Sequence, residues 1–247
     1  AERKAELAFI AGQMKRQVVY GDALLEFQKH AGETLEPEAA LVLLAEALAA
    51  RPDLWQAWIA AFQQALAMQR EERAQQLIDQ ARQRFPLLPR VHLEYAALLQ
   101  GRGEHAAAQA SLTEALRLNP GWGLAARRLS DLMERARDFA GSRKVLESAL
   151  RHSPQDALMH GYLSYALWQL DERDMAIARI ERAVELDTGY EWGWNQLKFY
   201  AAETGQPHLA VDRARSLTQR RPAEALSWLA LARVSEDTAV QLEALEH

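Results

Sequence analysis

Gly121 and Gly123, in the stretch Leu118-Asn119-Pro120-Gly121-Trp122-Gly123, stand directly ahead of a segment of helical periodicity, the setting in which backbone amides can cradle a phosphate. A dinucleotide fingerprint also needs a preceding strand and a third glycine, and neither is present. The histidines are the natural candidates for metal ligands or a general base. His30, His105, His152 and His208 show no His-Glu-x-x-His or other ligand spacing, while His92 and His160 fall in a slot otherwise held by Trp58, Trp194 and Trp228, which marks them as packing residues. Ser111, Ser130, Ser142, Ser148 and Ser164 lie within helical segments, and no nucleophile elbow occurs. Carboxylates alternate with arginines at helical spacing over 71–84 and 171–182, as on a solvated helix face. No catalytic residue, cofactor or metal is expected.

Composition narrows the classes further. The 247 residues are 49% hydrophobic and 26% charged, a balance suited to a folded, soluble chain. A net charge of -5 argues against a phosphate-backbone partner. The absence of cysteine excludes disulfides, thiolate zinc sites and cysteine nucleophiles, and leaves the compartment open. The longest apolar run, 39–50, is interrupted by Glu46 and is shorter than the roughly 20 residues a membrane helix needs, so no membrane span is expected. The chain starts at Ala1 without Met and closes on Leu245-Glu246-His247, which has the form of a tag remnant; further domains of a parent protein are therefore expected.

The elements that position these residues follow from a count. Pro52, Pro86, Pro120, Pro154 and Pro222 are spaced by 34, 34, 34 and 68 residues, with Thr188 in the vacant slot. Ala40, Ala74, Ala108, Ala176, Ala210 and Ala244 keep the same period, with Ser142 between them. So do Ala47, Ala81, Ala115, Ala149 and Ala183, with Leu217 following. Each period holds two amphipathic helices, neither of which buries its apolar stripe alone, so neighbouring units must stack. Small residues belong where helices cross closely. Pro37 and Pro207 are placed at the starts of second helices, where a missing N–H costs least. The glycine pair becomes an inter-repeat turn, with Pro120 ending one helix and Gly121 and Gly123 relaxing the chain before the next.

A 34-residue helical hairpin with Trp58, Ala74, Ile78, Ala81 and Pro86 in one unit, and His92, Tyr95-Ala96, Leu99, Ala108, Leu112, Ala115 and Pro120 in the next, resembles the tetratricopeptide repeat (TPR). Gln28, Phe62 and Lys198 depart from the small residue of the repeat's Leu-Gly pair. The resemblance implies an all-α, right-handed α-solenoid of about six and a half helix–turn–helix units. An N-terminal helix at 1–20 precedes units at 21–54, 55–88, 89–122, 123–156, 157–190 and 191–224, a partial unit at 225–244, and the tag remnant at 245–247.

The resemblance further implies a non-catalytic scaffold that holds an extended peptide or partner helix in a groove lined by the first helix of each unit. On that geometry Trp194, Leu197, Lys198 and Ala201 pack, as do His160, Leu163, Ser164 and Leu167, whereas Leu158 and Gly161 face the hollow. The groove residues expected to meet a protein or peptide partner are Tyr165, Trp168, Trp192, Asn195 and Phe199, with Arg127, Asp131 and Glu134 beside them. Arg127 would select a nearby acidic group, unless it merely pairs with Asp131 four residues on. Trp168, off the packing stripe, would be dispensable for stability. The chaperone-binding carboxylate clamp is incomplete, since its positions hold Leu25, Lys29, Ile59 and Gln63. Two alternatives stay open: a half-a-TPR RNA-processing scaffold, from the aromatic spacing at 54–62 and 91–99, and a helical subunit or domain of an enzyme complex, prenyltransferase-like or glycan-processing, from 189–200.

Overall fold

The structure, a computed structural model, describes residues 2–15 and 21–246. Helices are the sole regular structure among them, as expected of the all-α class. The expected N-terminal helix is present as α1 (Glu2–Lys15); residues 16–20, and the His247 assigned to a tag, lie outside the described residues. The chain divides into two compact units, Ala1–Leu118 and Asn119–His247.

In the first unit, α1 is followed by α2 (Gly21–His30), a short 3-10 turn (Ala31–Glu33) and α3 (Pro37–Ala50), then by the hairpins α4 (Trp55–Ala67) with α5 (Glu71–Arg84) and α6 (Pro89–Gly101) with α7 (His105–Leu118). Leu24, Phe27, Leu44, Ile59, Phe62, Leu77 and Ile78 are fully enclosed in its core. The second unit stacks α8 (Gly123–Arg135) with α9 (Phe139–Leu150), α10 (Ala157–Gln169) with α11 (Arg173–Leu186), α12 (Glu191–Glu203) with α13 (Leu209–Arg220), and α14 (Ala225–Val234) with α15 (Thr238–Leu245). Both alanine series are buried at every member, Ser142 and Leu217 included; the alanines and the serine stand where helices approach closely, and the Leu217 position admits a longer side chain.

Two further features repeat every 34 residues. Among the described residues, those with positive φ are Gln69, Gly103, Arg137, Asp171 and Gly205, at φ 57°, 75°, 59°, 64° and 75°. Each turns the chain from the first helix of a hairpin into the second through the left-handed region that glycine enters at least cost. The Trp/His slot is the second feature. Trp58 Nε1 donates to the Pro52 carbonyl at 2.9 Å, Trp194 Nε1 to that of Thr188 at 2.9 Å, and Trp228 Nε1 to that of Pro222 at 2.8 Å. His92 Nε2 meets the Pro86 carbonyl at 2.9 Å and His160 Nε2 that of Pro154 at 3.1 Å. What makes Trp and His equivalent here is a ring N–H that satisfies a turn carbonyl, in addition to the packing expected from the sequence.

This substitution of His for Trp has a pH consequence. His160 is buried, and desolvation, with Arg179 and Arg182 nearby, holds its imidazole below the ordinary histidine range. The unfolded chain therefore takes up the proton first, so the contribution of His160 is complete above about pH 6.5 and is lost as pH falls below it. We expect the urea midpoint to drop between pH 7.5 and pH 5.5, and to drop less in His160→Trp, which keeps the donor and cannot titrate. An equal drop in both proteins would assign the effect to other groups.

Two local expectations are corrected. Pro37 does open α3, but α13 starts at Leu209, two residues beyond Pro207. Pro207 sits instead at the second position of a turn closed by Leu209 N–H on the Gln206 carbonyl at 3.0 Å, a position its fixed φ suits. Gly123 does not relax the chain. It is the buried first residue of α8, and a Cβ there would collide with the Asp156 carboxylate, so the glycine serves close approach.

Candidate functional site

The first helices of consecutive hairpins in the Asn119–His247 unit enclose an open cavity of about 500 Å³. Its lining comes from α8 through Arg127, Asp131 and Glu134, from α10 through Leu158, Tyr162 and Tyr165, and from the start of α12 through Tyr190 and Trp192. Spacings of four and three residues bring the α8 and α10 sets each to one side of its helix, while Tyr190 stands at the cap position just ahead of α12. Five of the eight residues expected to contact a partner in the groove or to stand beside it meet here: Arg127, Asp131, Glu134, Tyr165 and Trp192. Trp168 and Phe199 come together elsewhere, and Asn195 is exposed on α12 without lining the cavity.

Arg127 is neither free nor paired with Asp131. Its Nη1 lies 3.3 and 3.2 Å from the two Asp156 oxygens, and Asp156 also caps α10 by accepting the Met159 N–H at 2.9 Å. Geometry explains the change of partner: the Asp156 carboxylate sits against the bare Cα of Gly123, within reach of the guanidinium one turn along α8. The acidic-group selectivity expected of Arg127 is thereby met within the chain. Asp131 and Glu134 remain facing the cavity. Burial raises both carboxyls above their ordinary range, partly offset at Asp131 by the Tyr162 hydroxyl and at Glu134 by the hydroxyls of Ser130 and Ser142, which donate to Oε1 at 2.8 and 2.9 Å.

Tyr162 and Tyr190 were not among the residues the sequence singled out. Tyr190 is set by two glycines: a Cβ at Gly161 would lie 2.5 Å from its hydroxyl oxygen, and one at Gly193 would lie 2.7 Å from its Cδ1. Gly161, expected to face the hollow, is accordingly buried beneath this ring. Burial pushes the Tyr190 phenol up to about 12, so it stays protonated and can donate. The pattern Gly-x₃₁-Gly on successive first helices is the one sequence signal that could have located it, since it marks a groove floor cut back to receive a ring.

Further along the same helices, Trp168 stacks on Tyr200 with centroids 3.9 Å apart and planes at 11°, while the Arg173 guanidinium carbon lies 3.9 Å from the Trp168 centroid. Phe199 flanks this stack at 5.8 Å. Trp168 is thus held between a phenol and a guanidinium, contrary to the expectation that it stands apart from packing. On α12, Trp194, Leu197 and Ala201 are fully buried as the packing stripe requires, but Lys198 is not part of it: its amine reaches Glu236 at 2.9 Å with the side chain 43% exposed. Leaving the lysine head in water avoids the cost of burying its charge.

Among the described residues, no group of three or more His, Cys, Asp or Glu side chains could hold a metal ion, and no helix is long and apolar enough to cross a membrane. No protein-family model and no curated protein matches the chain. Solved structures do. PilF of Pseudomonas aeruginosa, 16% identical, aligns over 89% of this chain and 99% of its own with a TM-score of 0.62. PilW, described as a type IV pilus biogenesis factor, is 16% identical over 85% of this chain and 98% of its own, with a TM-score of 0.58. YrrB, described as a TPR protein with an unusual peptide-binding site, is 13% identical over 72% and 92%, with a TM-score of 0.51. The fold is that of the TPR proteins. In TPR terms the cavity lies on the first helices of adjacent repeats, and where the slot holds Trp or His its ring N–H grips a carbonyl of the turn that precedes its own helix.

Proposed function

We propose that the chain is a non-catalytic interaction scaffold whose Asn119–His247 unit binds an extended peptide or a partner helix along its first helices. The observation that carries this is where large apolar side chains remain uncovered. In this unit they are Leu158, Trp192, Phe199, Leu226 and Leu229 on first helices, with Met175 on α11 and Leu242 and Leu245 on the last helix, α15, among the second helices. Leu158, Trp192 and Leu226 stand in one 34-residue register, so they form a row across α10, α12 and α14. A continuous exposed apolar row rimmed by charge is the signature of a macromolecular contact surface. The peptide-binding site named for YrrB supports the same kind of role for a TPR fold, while the residues argued for here are this chain's own.

The test is selection of dodecapeptides from a displayed random library on the immobilised chain. Selected peptides should lose about 2 kcal/mol of binding on Trp192→Ala, because a half-exposed indole on a rigid helix is a typical anchor. Failure to select any peptide, or unchanged affinity for Trp192→Ala, would overturn the proposal.

A further inference from the structure

We infer that the cavity between α8, α10 and α12 takes a cationic side chain, with a guanidinium the best fit, presented by a peptide partner. The inference rests on the groove reading above and gives it a chemical specificity. Three observations lead to it.

The first is charge. The cavity wall carries one guanidinium and two carboxylates, and the guanidinium of Arg127 is already paired with Asp156. Neither Asp131 nor Glu134 has an ion pair among the described residues, although Arg128 and Arg135 share their helix. The second is hydrogen bonding. Glu134 Oε1 is saturated by Ser130 and Ser142, two hydroxyls that also touch each other at 2.7 Å, and this fixes the carboxylate while leaving Oε2 without a partner among the described residues. A planar, multiply donating cation complements such a fixed acceptor beside the second carboxylate of Asp131. The third is the wall itself. Tyr165, Tyr190 and Trp192 present aromatic rings, whose faces attract cations, and Tyr190 holds its place over Gly161 and Gly193. Guanidinium over an aromatic ring is a packing this chain uses elsewhere, with Arg82 over Tyr95 at 3.8 Å and Arg173 over Trp168 at 3.9 Å. An acidic side chain would face two like charges, and a purely apolar one would strip water from both carboxylates without replacing it.

Three fluorescein-labelled dodecapeptides of equal leucine content, with four variable positions all Arg, all Gln or all Glu, distinguish the possibilities by anisotropy. The Arg peptide should bind at least about tenfold more tightly than the Glu peptide, and Asp131→Asn/Glu134→Gln should shrink that ratio to about twofold or less. The control Glu72→Gln/Glu104→Gln, which removes the same charge from exposed positions of the other unit, should leave the ratio intact. Asp131→Asn alone supplies the same comparison if the double variant melts early. A Glu peptide that binds as well as the Arg peptide, or an Arg preference that survives in the cavity variants, overturns the inference. If the Glu or Gln peptide wins and Trp192→Ala abolishes its binding, the groove stands and the cation preference falls. If no peptide binds, or all bind Trp192→Ala unchanged, the groove falls with it.

Discussion

Trp194→Ala is expected to lower the stability of the Asn119–His247 unit by about 3 to 5 kcal/mol, the largest single-residue effect we anticipate. The indole is fully buried, so its removal leaves a cavity in the helix packing of α12. It also leaves the Thr188 carbonyl without the N–H that reaches it at 2.9 Å, in a turn where Thr188 itself is buried. The two contributions separate in Trp194→Phe, which keeps most of the volume and loses the donor, and should cost about 1 to 2 kcal/mol plus some packing. Two residues away, Trp192 is 39% exposed and its alanine variant should stay within about 1 kcal/mol of the parent. Urea denaturation followed by circular dichroism ranks the three. If Trp192→Ala proves as destabilising as Trp194→Ala, the separation of groove from core on α12 is wrong.

Trp168→Ala should cost about 2 to 3 kcal/mol, somewhat less than a fully enclosed aromatic because its ring is half-buried. The loss comprises the stack on Tyr200, the tilted contact with Phe199 and the Arg173 guanidinium over its face. Tyr200 would suffer in turn: its ring is buried and its phenol is pushed up to about 12 by that burial. Binding measurements on Trp168→Ala will accordingly mix unfolding with lost contact, whereas Trp192→Ala reports on the groove. A melting midpoint for Trp168→Ala equal to that of the parent would show that the aromatic stack does not hold α10 to α12.

The period in Pro52, Pro86, Pro120 and Pro154 made the helices legible, because a stacking repeat imposes the same small residues and the same turn wherever two helices meet. Side-chain partners were less so. Whether Arg127 pairs with Asp131 or Asp156 depends on how close two hairpins come, and that distance is set by Gly123, whose role looked conformational in the sequence. Lys198 fell on an apolar stripe by spacing alone, yet a flexible stem lets its amine leave that stripe for Glu236. Tyr190 was invisible for a different reason. It precedes its helix, so no helical spacing assigns it a face, and only the two glycines beneath it betray where the ring lies. The positive-φ turn residues were hidden by chemistry: Gln69, Arg137 and Asp171 occupy positions where Gly103 and Gly205 show what the backbone wants.

Among the hairpins from α4 onward, the grip on the turn carbonyl differs in one. At the slot where others have Trp or His, α8 carries Ala126, which has no side-chain donor for the Pro120 carbonyl; the neighbouring Gly121 carbonyl instead accepts from Ser153 Oγ at 2.8 Å, and Ser153 belongs to the turn ahead of α10. Arg127 reaches across to the same region through Asp156. The α8–α9 hairpin takes the fastening of its entry turn from its successor, so removing α10–α11 would leave the Gly121 carbonyl without the Ser153 hydroxyl and Arg127 without Asp156.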